Sequence, residues 1–255
     1  MNGHKFHLRV YVLCVGALRV FVFEKILILI AAHKYDLNDT ENIFSHLTNT
    51  ARSAEDVHFD EKKFVKTLDD LPEYLMKEKP EIAKNKEDAN KIITQIKDDI
   101  HKITNELFNA FENEYTVFSP MNNCFEIFGL DFMIDQDLQV SLLEVNPGPD
   151  FQQTGGKLKI VIEDLWEQTL EIVLDSNKNI QSKNGNKNES GDNNENENDN
   201  ENKNNNDDNV DYSGNNEDLN NQTNYKYLDK PTKDFTCVYS KQSSTSHLKG
   251  GMTFK

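Results

Sequence analysis

The stretch "LRVYVLCVGALRVFVFEKILILIAA" near the start of the chain decides what the chain can build. It is apolar enough to suggest either a membrane span or a pair of buried strands. Arg9, Arg19, Glu24 and Lys25 settle the choice, because they cut the longest uncharged run to residues 10–18. A helix needs about 20 apolar residues to cross a bilayer. Charges inside the apolar part also fit a cleaved leader poorly. The stretch therefore reads as a β-hairpin, with strands over 5–14 and 18–30 joined across Val15, Gly16 and Ala17. Side chains alternate along a strand, so Lys5, His7 and Arg9 share one face while Phe6, Leu8 and Val10 share the other. The nitrogen-bearing face is either solvated or turned towards phosphate or carboxylate groups.

A second hairpin is expected over 125–134 and 139–146, turning at Asp135, Gln136 and Asp137, in the sequence "FEIFGLDFMIDQDLQVSLLEVNPGPDF". Asp131 stands among Phe128, Leu130 and Phe132. A carboxylate in so apolar a strand is costly unless it is paired or bound to a metal. Glu144 and Asn146 are two residues apart and point the same way. Pro147 lacks an N–H and ends the ladder there. With the turn near Gln136, Asp131 falls nearly opposite Leu142 or Leu143, and Glu144 lies one diagonal step away. Two readings follow. One is a solvated strand edge running into a loop. The other is a hard-cation site, in which the oxygens of Asp131, Glu144 and Asn146 hold Mg²⁺ and a phosphate completes the shell. The cost of burying Asp131 favours the cation.

Between the hairpins the chain is irregular through the segment that holds His46, Thr48 and Asn49. A helix is expected over 81–115, with Ile92, Ile96, Ile100, Ile103, Leu107 and Phe111 as a core-facing stripe. A shorter helix is expected over 62–77, interrupted at Pro72, and another over 158–175, burying Leu158, Val161, Ile162, Leu165, Ile172 and Val173. The three regions are then 1–175, a low-complexity Asn/Asp/Glu-rich insertion over 176–224, and a short C-terminal segment over 225–255 in which "FTCVYS" reads as a strand. The insertion has too few apolar side chains to offset its ordering entropy, so it reads as a disordered spacer. It carries roughly half of the formal net charge of -16. That acidic balance, with no basic patch, argues against nucleic acid as a partner. Cys14, Cys124 and Cys237 are far apart and form no CxxC pair, which suggests reduced thiols and a cytoplasmic setting.

Three pieces, "HKFHLRVYVL", "SHLTNT" and "FEIFGLDFMID…LLEVNPGPDF", together resemble the catalytic half of the tubulin–tyrosine ligase-like family. They occur in the family's order, and the resemblance covers residues 3–175 with gaps. "EVNPGPDFQQTG" is more similar to a fungal and protist branch than to the tyrosine ligase itself. The resemblance implies an α+β, ATP-grasp-like domain of antiparallel hairpins packed against helices. It implies an ATP- and Mg²⁺-dependent ligase that joins a free amino acid to a protein, with the tubulin tail as acceptor, through an acyl phosphate. No membrane partner is implied, and the setting would be cytoplasmic and microtubule-associated. Carried over by position, Lys5 would contact the ATP phosphates and Arg9 would be catalytic, meeting the acceptor or the amino-acid carboxylate. Thr48 and Asn49 would lie near ATP, and Asp131, Glu144 and Asn146 would ligate Mg²⁺. Phosphorylation makes a carboxylate oxygen a good leaving group, and Mg²⁺ with cationic side chains offsets the charge on the moving phosphoryl group.

Three departures from the family pattern shape the expectation. The sequence begins close to the Lys5 motif, so the upstream strands and helices that complete an adenine pocket are expected to lie outside it, and the domain is expected to be an incomplete ATP-grasp unit. The alternative function is then a catalytically incomplete fragment, acting as a nucleotide-binding or protein-interaction module. His7 stands where the family often has Asp. The region around Leu29 is apolar where the tyrosine ligase has an arginine that helps hold the tubulin tail, which weighs against tyrosination itself.

Overall fold

The computed structural model describes residues 1–39, 41–48, 53, 56, 59–149, 151, 156–185 and 232–241, and only the backbone over 175–185. Of the insertion expected over 176–224, residues 176–185 instead continue the helix that starts at Gly156, and the rest lies outside the described residues. The architecture is α+β: one antiparallel sheet of seven strands with helices on both faces.

Strand β1 (Phe6–Val15) is the spine of the sheet. One edge pairs along most of its length with β5 (Phe125–Ile134). The other edge is shared end to end by β2 (Arg19–Phe23), which pairs with the second half of β1, and β3 (Leu27–Ile30), which pairs with the first half. The single strand expected over 18–30 is thus two strands, with the register shifting between Val12↔Val22 and Arg9↔Leu27. The break falls on Glu24 and Lys25, and each charge is anchored to a helix. Glu24 meets His101 Nε2 at 2.9 Å and Lys97 Nζ at 3.7 Å on α4 (Lys86–Phe111). Lys25 pairs with Asp164 on α5 (Gly156–Gly185) and, at 3.1 Å, with Asp234. The charges that forbid a membrane span therefore act as pins. No helix among the described residues is long and apolar enough to cross a membrane.

The sheet is buried on both sides. Leu8, Val10, Val12 and Cys14 pack with α4 and with α3 (Leu71–Glu78) through Leu71, Leu75, Ile96 and Ile100. Tyr11, Leu13 and Val15 pack with α5 through Leu158, Val161, Ile162 and Leu165. Burial on both faces explains why β1 reads as a nearly continuous apolar run. On α4 the buried line is Ala89, Ile93, Ile96, Ile100, Thr104 and Phe108. Ile92, Ile103 and Leu107 only flank it, and Phe111 is exposed, so the expected stripe was rotated by about one residue. Asn85 caps α4 by accepting the Asp88 N–H at 2.9 Å, which starts the helix later than the expected residue 81.

The helix expected over 62–77 is not continuous. A short α2 (Glu61–Phe64) gives way to β4 (Val65–Thr67), which pairs with β3. A 3₁₀ turn over Leu68–Asp70 leads into α3, and Pro72 sits in the first turn of that helix. The β-branched Val65 is fully buried at the end of the sheet, and Thr67 and Asp70 cap each other. Proline at a helix start leaves no hydrogen bond unmade, so it begins α3 where an interruption was expected.

Among the described residues, strand β6 (Val140–Pro147) pairs only with β5, and β7 (Phe235–Ser240) pairs with β2. The strand read from "FTCVYS" is therefore part of the sheet. Phe235 is buried against Phe23, with ring centroids 5.0 Å apart. Lys25 and Gln168 hold Asp234 at its start, and Glu112 accepts the Tyr239 hydroxyl at 2.6 Å. Phe235→Ala should destabilise the fold by about 3–5 kcal/mol, the usual cost of emptying an aromatic core site. Denaturant unfolding measures this directly, and a variant as stable as the wild type would show that β7 lies outside the cooperative unit.

Candidate active site

Where β1, β5 and β6 run side by side, the face that packs on α5 further along carries a polar cluster. Arg9 on β1 lies directly opposite Asp131 on β5. Its guanidinium grips the carboxylate with two bonds, Nε to Oδ1 at 2.5 Å and Nη2 to Oδ2 at 3.0 Å. Asp131 is 5% exposed, so each charge needs the other. Burial, the largest effect on Asp131, pushes its pKa upward, but His7 and Arg9 together outweigh it and bring the pKa down to about 2. Burial likewise works against the charged form of Arg9, and Asp131 more than reverses this, raising the arginine pKa.

Glu144 lies directly opposite Asp131 on β6, and Asn146 lies opposite Gly129. This corrects the expected register, in which Asp131 faced Leu142 or Leu143. The pairing slips by one residue between Asp131 and Phe132, leaving Leu143 as a bulge. The slip is decisive because a shift of one residue exchanges the two faces of a strand. With an unbroken ladder continued from Phe132↔Leu142, Glu144 would oppose Leu130 and point towards α4. The bulge turns Glu144 and Asn146 onto the Asp131 face. Asn146 Nδ2 then donates to Glu144 Oε1 at 3.1 Å and reaches Asp131 Oδ2 at 3.5 Å.

Gly129 keeps this corner open. A β-carbon at that position would lie 2.8 Å from Pro149 Cβ and 3.4 Å from Arg9 Cδ. After Gly148, at φ 64°, the chain folds back over Gly129, and Phe151 packs between Tyr11 and Trp166.

His7 and Thr48 complete the cluster. His7 is 7% exposed, and its Nδ1 is 2.5 Å from Thr48 Oγ1. Its Nε2 lies 3.5 Å from Asp131 Oδ1 without the alignment of a hydrogen bond. Sequence reasoning placed His7 on the face read as solvated or turned towards phosphate or carboxylate groups, but gave it no role of its own. No sequence signal marks its bond to Thr48, which is 41 residues away. Lys5 stands just before β1, and its carbonyl accepts from Ala31. No hydrogen bond or ion pair ties the Lys5 ammonium to the cluster among the described residues. Asn49 lies outside the described residues. The structure thus gathers Arg9, Thr48, Asp131, Glu144 and Asn146, with His7 added.

The donor chemistry fits a hard cation. Among the described residues, no group of three His, Cys, Asp or Glu side chains is arranged to hold a metal ion. The third donor here is an amide. The Asn146 amide nitrogen, the positive end of a dipole, sits between the two carboxylates. With the amide turned to present its oxygen, a cation would take that place, holding one or two carboxylates as Mg²⁺ sites do.

An α+β domain with this cluster at the end of a β-hairpin belongs to a recognisable family. A family model described as "Tubulin-tyrosine ligase family" matches residues 1–182, and the chain belongs to that family. "Probable tubulin–tyrosine ligase PBY1" of Saccharomyces cerevisiae is 35% identical over 192 residues, covering 70% of this chain and 23% of the yeast protein. "Probable tubulin–tyrosine ligase C12B10.04" of Schizosaccharomyces pombe is 35% identical over 191 residues, covering 72% of this chain and 43% of that protein. A solved structure, the C-terminal domain of K. lactis Pby1, described as an ATP-grasp enzyme interacting with the mRNA decapping enzyme Dcp2, is 33% identical. Its TM-score is 0.48, and the match covers 68% of this chain and 42% of that one. The chain spans less than half the length of these relatives.

The acid side of the stability curve tests the Arg9–Asp131 pair. A folded pKa lowered from 3.8 to about 2 adds stability that is present above pH 3.8 and is lost as the pH falls through about 2. The shift corresponds to about 2 kcal/mol at neutral pH. In metal-free buffer, Asp131→Asn should be less stable than wild type at neutral pH, and the gap should shrink as the pH falls towards 2. Urea unfolding across that range measures it, and a gap independent of pH would remove the pair as its cause.

Proposed function

We propose that this chain is the catalytic half of an ATP- and Mg²⁺-dependent ligase that joins an amino acid to a protein through an acyl phosphate, with the tubulin tail as acceptor. The observation that carries the reading is the convergence of Asp131, Glu144 and Asn146 on the strand face that presents Arg9. Family membership supports it. So do the names of relatives at lower identity, which include a "Probable tubulin polyglutamylase TTLL9" of Rattus norvegicus and "Tubulin glycylase 3F" of Tetrahymena thermophila.

The reaction needs a carboxylate oxygen to take the terminal phosphoryl group of ATP, releasing ADP, and an amine to attack the acyl carbon, releasing phosphate. Asp131, Glu144 and Asn146 would hold Mg²⁺, which draws off negative charge from the phosphates when bound. Arg9 spends Nε and Nη2 on Asp131, and its Nη1 makes no hydrogen bond among the described residues. That group is placed to receive the carboxylate or acyl phosphate oxygen, already oriented by the ion pair. Lys5 meets the phosphates with an ammonium that no carboxylate holds among the described residues. Leu29, 5% exposed, lies opposite His7 and is packed into the core, so no cationic side chain there meets the acceptor tail.

The test is incorporation of labelled glutamate, glycine and tyrosine into tubulin, with Mg·ATP, by a chain that also carries the upstream half, alongside calorimetric titration of the nucleotide. Glu144 is exposed, so Glu144→Gln should abolish Mg²⁺-dependent nucleotide binding while leaving the fold intact. Arg9→Ala should lower turnover by about ten- to a hundredfold, the worth of a charge-assisted hydrogen bond in a closed site. Nucleotide binding without incorporation of any of the three would replace the ligase with a nucleotide-binding module. Unchanged binding by Glu144→Gln would sink the site assignment.

A further inference from the structure

His7, like Arg9, has a polar atom left over in the cluster. Its ring is buried, and Nε2 has no hydrogen-bond partner among the described residues. A buried polar group without a partner is destabilising, so such an atom in a site points to a ligand. Two neighbours determine which kind. The Asp131 carboxylate, 3.5 Å from Nε2, favours the tautomer with the proton on Nε2. Nδ1 is then an acceptor, and the Thr48 hydroxyl donates to it at 2.5 Å, fixing both tautomer and ring orientation. At 3.5 Å and out of alignment, the His7 N–H makes no hydrogen bond to Asp131 Oδ1, whose close partner is Arg9 Nε at 2.5 Å. A donor is therefore held, oriented and unfilled at the rim of the oxygen cluster, beside the guanidinium.

We propose that His7 is a phosphate-contacting residue: its Nε2–H, set in place by the Thr48 hydroxyl, donates to a phosphate oxygen of the nucleotide bound over Asp131, Glu144 and Asn146. The inference rests on the nucleotide reading above and adds a contact to it. Thr48 acts through His7 as a positioning residue. A cation is a poorer occupant for this atom, because a metal would need the Nε2 lone pair and would have to approach beside Arg9.

The substitutions separate the two ends of the ring. His7→Asn keeps a group near Nδ1 for Thr48 and removes Nε2, whereas His7→Gln carries an amide to the Nε2 position. Calorimetric titration of the full chain with Mg²⁺ and β,γ-imido-ATP should show His7→Asn weakened by about ten- to a hundredfold, with His7→Gln retaining most of the affinity. Mg·tripolyphosphate should show the same order, since the contact is to phosphate and not to the base. The ¹⁵N resonance of Nε2, assigned by its loss in His7→Gln, should move on addition of either ligand. Wild-type affinity in His7→Asn overturns the proposal while the nucleotide reading stands. Equal losses in both variants, with lowered melting temperatures, make His7 a structural residue and also overturn it. A loss with the nucleotide but not with tripolyphosphate removes phosphate as the partner. Failure of the wild type to bind either ligand overturns the nucleotide reading and this contact together.

Discussion

The Arg9–Asp131 pair is the interaction on which the site depends. It joins the two strands with the longest mutual pairing in the sheet, and both charges sit where water is largely excluded. Neither partner is tolerable there alone, since an unpaired buried charge costs several kcal/mol. Paired, they set everything nearby. Asp131 stays ionised, Arg9 is held flat against it, and the remaining guanidinium edge faces the corner kept open by Gly129. His7 is turned by the same carboxylate and by Thr48. The cluster is thus an ordered set of donors and acceptors, and a ligand would meet little reorganisation on arrival.

The sheet makes that order possible. Helices on both faces bury most of β1, so the strand carrying His7 and Arg9 is firmly packed into the fold. The break between β2 and β3 is held by Glu24 on one side and Lys25 on the other, each tied to a different helix. Lys25 also reaches Asp234, and so the strand that follows the low-complexity stretch is locked to the same point. One bulge at Leu143 then sets the chemistry. The residue types at 144 and 146 supply oxygens, but the slip in register delivers them to the face where Asp131 and Arg9 wait.

Much was legible before the fold was known. Alternation assigned Lys5, His7 and Arg9 to one face, and the cost of a carboxylate among Phe128, Leu130 and Phe132 marked Asp131 as paired or metal-bound. The second hairpin was placed nearly to the residue, because its strands are long and apolar and its turn is rich in Asp. These readings rest on local physics: strand period, turn chemistry and burial cost act within a few residues. The errors came where long-range partners decide. Residues 62–77 looked helical, yet Val65 joins the sheet because β3 offers it an edge. The stripe on α4 was rotated by about one residue, since two neighbouring apolar lines compete and only the sheet's position selects one.

The sequence by itself determined that the chain makes buried strands and not a membrane span, that an oxygen-rich corner closes its second hairpin, and that three nitrogen-bearing side chains share a strand face. Those properties follow from residue type and spacing. Only the tertiary structure decided that Arg9 faces Asp131 across 122 residues, that a bulge turns Glu144 and Asn146 towards them, and that Thr48 orients His7. The physical reason is that pairing register and contacts between distant segments are set by the packing of the whole sheet against its two helical layers, which no local pattern encodes.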